Sequence, residues 1–208
     1  MKLFLSSTSI PNELVTPFTE LVGKDLEDIS FALIENAADP YGNNASFVIE
    51  TRTVLQSLGM QLELVDLNQY KNKPDELKEK LGIFDVIWFG GGNIYYLRWL
   101  MQVTGFDSIA RELLEKGIVY GGGSAGAIIA GSTLKYFDLV DDPNVSPELI
   151  YSGLDLIDLV IVPHWGTEKI QEKLSEIQSL YTNDDIDTVT ITDNQAIIVD
   201  GEKWTVLP

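Results

Sequence analysis

The 208-residue chain carries 32 acidic against 14 basic residues, a formal net charge of −18. With three arginines (Arg52, Arg98, Arg111) and no basic run, it offers no patch for a phosphate backbone or an anionic bilayer, so neither nucleic acid nor a membrane surface is an expected partner. The absence of cysteine excludes disulfides, thiolate metal sites and a cysteine nucleophile.

Hydrophobic content of 45% with 10% aromatics fits one globular α/β domain over residues 1–208, long enough to bury about 70% of its unfolded surface. The N-terminal run MKLFLSS has the length of a buried strand and lacks the longer apolar segment and cleavage site of a signal peptide. No stretch approaches the roughly 18 apolar residues of a membrane span, and the expected location is cytoplasmic.

In chain order, Leu3–Leu5 reads as a first strand ending in the polar turn Ser6–Ser9, and Pro11–Val22 as a helix closed near Gly23. Ile29–Ile34 is a second strand, followed by a loop carrying Asp39-Pro40 and Gly42-Asn43 signals. Phe47–Leu58 has helical spacing, Gln61–Leu67 alternates as a strand, and Pro74–Leu81 is a short charged helix. Phe84–Phe89 is a strand that meets Gly90-Gly91-Gly92-Asn93, and helices over Ile94–Val103 and Phe106–Lys116 lead to a strand at Val119. Lys135–Asp155 reads as loop with a short strand. Leu159–Val162, Thr188–Thr192, Ala196–Val199 and Trp204–Leu207 are strand-like, with a helix over Thr167–Tyr181. This alternation predicts an α/β fold on a mostly parallel sheet flanked by helices.

The stretch that gathers the rest is VYGGGSAGAIIAG, Val119–Gly131. Gly122-Gly123-Ser124-Ala125-Gly126 spells G-x-S-x-G, a nucleophile elbow: a side chain at the tip of a tight strand-to-helix turn, with small neighbours that let the backbone come close. The helix that opens there aims free N–H groups at the turn, where they can stabilise an oxyanion. Gly121, Gly123 and Gly126 also spell the dinucleotide fingerprint G-x-G-x-x-G. That fingerprint belongs in the first βα turn, and here several βα units precede it. A nucleotide-binding module is thus the first alternative, and a binding or regulatory relative without activity is the second.

Ligand sites in such sheets lie beyond the C-terminal strand ends, and three of those ends carry unusual residues: Gly90–Asn93, Gly121–Ser124 and Pro163-His164. A second glycine turn can supply the further N–H that an elbow needs, with Asn93 placed to contact substrate. His164 is the chain's only histidine. If Ser124 is a nucleophile, His164 is the imidazole that can serve as its base. For the acid that orients the histidine, Asp138, Asp141 and Asp142 follow the elbow and Asp193 follows the strand at Thr192. Asp193 is preferred because it falls late in the chain, at the sheet edge expected for His164. One histidine and no cysteine leave too few ligands for zinc, and no cofactor or metal is expected.

The segments FGGGNIYYL (Phe89–Leu97), GGGSAGAIIAG (Gly121–Gly131), VPH (Val162–His164) and TDNQAIIVDG (Thr192–Gly201) resemble the serine peptidase family of aspartyl dipeptidase (peptidase E) and cyanophycinase. The resemblance implies a fold like that of class I glutamine amidotransferases, with serine in place of cysteine at the elbow, and hydrolysis of a peptide bond near an acidic residue. It implies Ser124 as nucleophile, His164 as base, and an oxyanion hole from the backbone of Ala125 and the Gly91/Gly92 turn. Aspartyl dipeptidases need a cation for the substrate carboxylate, and no arginine follows His164. Lys169 comes nearest, so Trp165 and Lys169 are the expected substrate contacts beside Asn93. A short peptide is the expected partner, and a homodimer stays open.

Overall fold

The computed structural model describes residues 1–42 and 45–208, and Asn43 of the Gly-Asn turn signal lies outside them. Its centre is a seven-stranded sheet. Five strands run parallel: β1 (Lys2–Ser6), β2 (Ser30–Ile34), β3 (Gln61–Leu64), β4 (Val86–Phe89) and β5 (Val119–Gly123). A further pair, β6 (Val160–Val162) and β7 (Thr188–Thr190), forms a separate parallel two-stranded sheet. The hairpin β8 (Ala196–Asp200) and β9 (Lys203–Leu207) then joins the large sheet, β8 antiparallel to β1, to give the order β3-β2-β4-β5-β1-β8-β9.

Strand alternation sorts side chains onto two faces. Leu3, Leu5, Ala32, Ile34, Ile87 and Phe89 join one hydrophobic cluster, and Phe4, Phe31, Leu33, Val86 and Trp88 join the other. The second face is covered by α1 (Val15–Val22), through Phe18 and Leu21, and by Leu55 of α2 (Ser46–Ser57). Phe31 stacks on Trp88 at 5.8 Å between ring centres, and Phe18 meets Phe4 edge-on at 5.3 Å. The first face is covered by α3 (Pro74–Leu81), α4 (Ile94–Thr104), α5 (Phe106–Glu115), α6 (Ala125–Ala130) and α7 (Gln171–Asn183). α5 shows why the letters suffice for such an element: Phe106, Ile109, Ala110, Leu113 and Leu114 recur at helical spacing and are all buried.

Several expectations shift: the strand expected over Gln61–Leu67 stops at Leu64, Leu67 opens a 3₁₀ turn, and the helix expected over Thr167–Tyr181 runs Gln171–Asn183. The predicted helix Pro11–Val22 begins with a 3₁₀ turn, Asn12–Leu14, before α1. The loop after β2 contains a 3₁₀ segment, Asn36–Tyr41. Lys135–Asp155 holds two 3₁₀ turns, Phe137–Leu139 and Pro143–Val145, and only an isolated bridge, Thr133 to Ser152, spans it in place of the expected strand. Its polar residues favour turns over a ladder: the Asp142 side chain caps the second turn by accepting from Asn144 N–H. No helix among the described residues is long and apolar enough to cross a membrane.

Candidate active site

The parallel strands end together, with Ser6 opposite Gly123 and Phe89 opposite Gly122. That alignment brings three chain turns to one edge: Ser7–Ser9 after β1, Gly90–Asn93 after β4, and Ser124 after β5. Ser124 sits at φ 51°, ψ −109°, a conformation that L-residues rarely adopt. The strain is held by its surroundings. Ser124 N–H donates to Ser6 O at 3.0 Å, and a Cβ added to Gly123 would stand 1.8 Å from Thr8 O. Serine opening a helix ordinarily caps it with its hydroxyl. Here the backbone is turned away from that geometry and no capping bond forms, which leaves Oγ free.

His164 comes from the small sheet, directly after β6. Its Nε2 lies 3.0 Å from Ser124 Oγ, and its Nδ1 lies 2.8 Å from Asp193 Oδ1. An ionised carboxylate can only accept, so Nδ1 carries the proton and Nε2 is left to accept from the serine hydroxyl. His164 also has positive φ, 61°. Two interactions fix it there: its N–H donates to Ser7 Oγ at 3.0 Å, and its carbonyl accepts from Thr167 N–H.

Gly91 faces the hydroxyl closely, since a Cβ on it would stand 3.2 Å from Ser124 Cβ. Gly92 has φ 144°, and a Cβ there would fall 2.2 Å from Ala37 O, so only glycine fits this turn. Among the described residues, the N–H groups of Gly91, Gly92 and Ala125 have no acceptor. They are the donors such a site would turn toward an oxyanion.

Two cavities open on either side of Ser124 and His164. One, of about 500 Å³, is bounded by Ser7–Ser9, the Gly91-Gly92 turn, Tyr41 and one face of α2. The other, of about 160 Å³, is mostly apolar, with Ile94, Ile128, Phe137 and Leu174 in its wall.

The family model for peptidase family S51 matches residues 5–207. The chain belongs to peptidase family S51. It is accordingly a serine-type peptidase. An uncharacterized peptidase of Listeria monocytogenes, Lmo0363, is 28% identical over 203 residues, spanning 97% of this chain and 95% of the relative. Peptidase E of Actinobacillus pleuropneumoniae serotype 5b is 28% identical over 193 residues, 89% of this chain and 75% of that protein. A crystal structure of a Listeria monocytogenes EGD-e protein provisionally assigned as peptidase E matches with TM-score 0.81 at 26% identity, covering 99% of this chain and 97% of that one. The fold also matches that of a peptidase from an acI-B1 Actinobacterium, with TM-score 0.67 at 19% identity and coverage of 99% and 86%.

Within this S51 chain the predicted residues divide. Ser124, His164 and Asp193 form one hydrogen-bonded line, with Gly91, Gly92 and Ala125 beside it. Asn93 does not reach the cleft. It is fully buried, its Oδ1 caps α4 by accepting from Tyr96 N–H, and its Nδ2 donates to Asp141 Oδ1 and Asp142 O. A residue ending a βα turn can serve either substrate or helix, and here the N-cap role takes the side chain.

Trp165 packs half-buried against the core and Lys169 is exposed; neither lines the two cavities beside Ser124. Asp138 is exposed in its 3₁₀ turn and makes no hydrogen bond to His164 among the described residues. Asp141 instead accepts from Ile94 N–H, Asn93 Nδ2 and Tyr41 Oη, and burial raises its pKa above the usual carboxylate value. It ties the Gly90–Asn93 turn to Tyr41 at the mouth of the cleft.

One residue escaped the sequence reading. The fully buried hydroxyl of Ser7 shares its proton between Ile191 O and Thr192 O, at 3.1 and 3.0 Å, while accepting from His164 N–H. It binds the end of β1 to both segments that carry His164 and Asp193. The only signal was the run of serines in the turn Ser6–Ser9, which by composition reads as an ordinary polar turn.

Proposed function

We propose that the chain hydrolyses a short peptide through Ser124 as nucleophile, His164 as general base and Asp193 as the acid that orients the histidine. One observation carries the reading: the unbroken line Ser124 Oγ–His164 Nε2 and His164 Nδ1–Asp193 Oδ1, at 3.0 and 2.8 Å. Serine is a weak nucleophile until an adjacent base takes its proton, and both gaps are ordinary hydrogen-bond lengths.

In this reading Ser124 Oγ attacks the scissile carbonyl carbon as its proton passes to His164 Nε2. The carbonyl oxygen becomes an oxyanion and accepts from N–H groups of Ala125 and the Gly91-Gly92 turn. Asp193 holds the ring in the tautomer with Nδ1 protonated and stabilises the imidazolium that forms. His164 then gives its proton to the leaving amine as the C–N bond breaks, leaving an acyl-enzyme on Ser124. A water activated by the same imidazole attacks that ester, and Ser124 recovers its proton as the acid product departs.

The glycine turn gives the nucleotide alternative little support. Gly123 is closed off by Thr8 O and Gly126 by Phe89 O, which would lie 2.2 Å from an added Cβ, so the turn is filled by the protein's own backbone. A fluorophosphonate probe tests the reading: it should modify Ser124 alone among the serines, and Ser124→Ala should lose both labelling and peptide hydrolysis while melting like the parent. Labelling that persists in Ser124→Ala refutes it.

A further inference from the structure

The larger cavity beside Ser124 has an uneven chemistry. α2 turns Phe47, Glu50, Thr51 and Val54 into it, positions spaced i, i+3, i+4 and i+7 that share one helical face. Phe47 and Val54 are large apolar residues left 39% and 37% exposed, on a face that α2 does not bury in the core. Tyr41 lines the same cavity, 50% exposed, its ring edge-on to Phe47 at 6.1 Å. Among the described residues that line it, Glu50 is the only acidic one, and neither lysine nor arginine is among them. Among the described residues Glu50 makes no ion pair. Arg52, two positions on, is committed to Glu35, and Arg98 is held in a bidentate pair with Asp107 at 2.9 Å on each arm. The second cavity repeats the sign, since the one carboxylate or cationic side chain in its wall among the described residues is Asp141, whose oxygens are already taken by internal donors.

From this we infer that the cleft selects a peptide bearing a cationic group, a protonated amine or guanidinium, seated between Glu50 and the Tyr41–Phe47 aromatic pair. The inference rests on the peptidase reading above and specifies its substrate class. A carboxylate and an aromatic pair on one wall are complementary to an organic cation: the carboxylate accepts charge-assisted hydrogen bonds, and the ring faces attract the positive charge. An acidic side chain in the same position would meet Glu50 and find no basic partner, a mismatch that costs affinity by repulsion. The cation has two sources in a short peptide, its α-ammonium or a lysine or arginine side chain.

The test is a dipeptide panel, X-Ala and Ala-X with X as arginine, lysine, norleucine or glutamate, each free and N-acetylated, with kcat/KM measured for the parent, Glu50→Gln and Glu50→Lys. Glu50 is an exposed helix position, and circular dichroism checks that both variants are folded. The parent should favour a cationic peptide over its norleucine or acetylated counterpart by about tenfold or more, the size of one charge-assisted contact. That ratio should fall to within about twofold in Glu50→Gln and turn toward glutamate peptides in Glu50→Lys. A preference for arginine or lysine that survives acetylation assigns the side chain. One that tracks acetylation alone assigns the α-ammonium.

Cleavage of the panel with no cation preference, with a preference for glutamate, or with a cation preference that Glu50→Gln leaves intact overturns the inference and leaves the peptidase reading standing. Cleavage of no peptide in the panel removes both.

Discussion

Ser124 follows β5, the middle strand of the large sheet, whereas His164 lies two residues past β6, which pairs with β7 outside that sheet. The two residues meet at 3.0 Å, yet they are held by different means. Around Ser124 the restraint is steric. The strand is fully buried, and Gly123 and Gly126 press against Thr8 and Phe89 so closely that no side chain fits between. Around His164 and Asp193 the restraint is a set of hydrogen bonds centred on Ser7, in a more open setting where the Asp193 side chain is half exposed. Steric restraint leaves its mark in local composition, as glycine. A hydrogen-bonded clamp between segments more than 150 residues apart in the chain leaves almost none.

Four substitutions break or sharpen that contrast, in falling order of effect. Asp193→Asn keeps the shape but lets the histidine adopt the wrong tautomer, so kcat should fall by about 10² to 10⁴ with the melting temperature little changed. Loss of activity below twofold would remove Asp193 from the line. Gly123→Ala attacks the steric side. Its methyl group would run into Thr8 O, and the main chain must move, at a cost of about 3 kcal/mol or more read by urea titration.

Ser7→Ala attacks the hydrogen-bonded side. It orphans His164 N–H and takes one donor from Ile191 O and Thr192 O, which keep those of Trp165 and Gln195, for about 1–2 kcal/mol of stability and about a tenfold loss of kcat, with KM the less affected parameter. Equal stability loss with kcat unchanged would make Ser7 a structural residue only. Asp138→Asn completes the set, because its exposed side chain makes no bond to His164: both stability and kcat should stay within about 0.5 kcal/mol of the parent.

The same contrast explains what could be read in advance. Pro74–Leu81 is a helix with the bounds expected from its N-terminal proline and spacing, and the alternation in β1, β2 and β4 sorts residues to the faces observed. G-x-S-x-G located the strained serine because the close approach of Thr8 and Phe89 requires glycine within those five residues. Pairing is different. Leu159–Val162 and Thr188–Thr192 look like any other short apolar strands, and nothing in them says that they pair with each other apart from the large sheet. Chain position alone sets the expectation that Asn93, Trp165 and Lys169 contact substrate, and none of the three lines the two cavities beside Ser124. The N-cap of α4 took Asn93, the core took one face of Trp165, and solvent took Lys169. Helical spacing predicts α2 but says nothing of its exposed face, since Phe47, Glu50 and Thr51 gain meaning only from the cleft they line.

Because His164 rides on a sheet of two three-residue strands, the 3.0 Å gap to Ser124 is a gauge of how that small unit is docked. Two-stranded sheets have little stability of their own, and this one is anchored through the apolar side chains of β6, the Ser7 hydroxyl and the bond from Ser132 N–H to Leu159 O just ahead of β6. Breathing of the small unit would open the gap while the seven-stranded frame stays intact. The hydrogen bond between Ser124 and His164 thus depends on an element with which the serine shares no sheet.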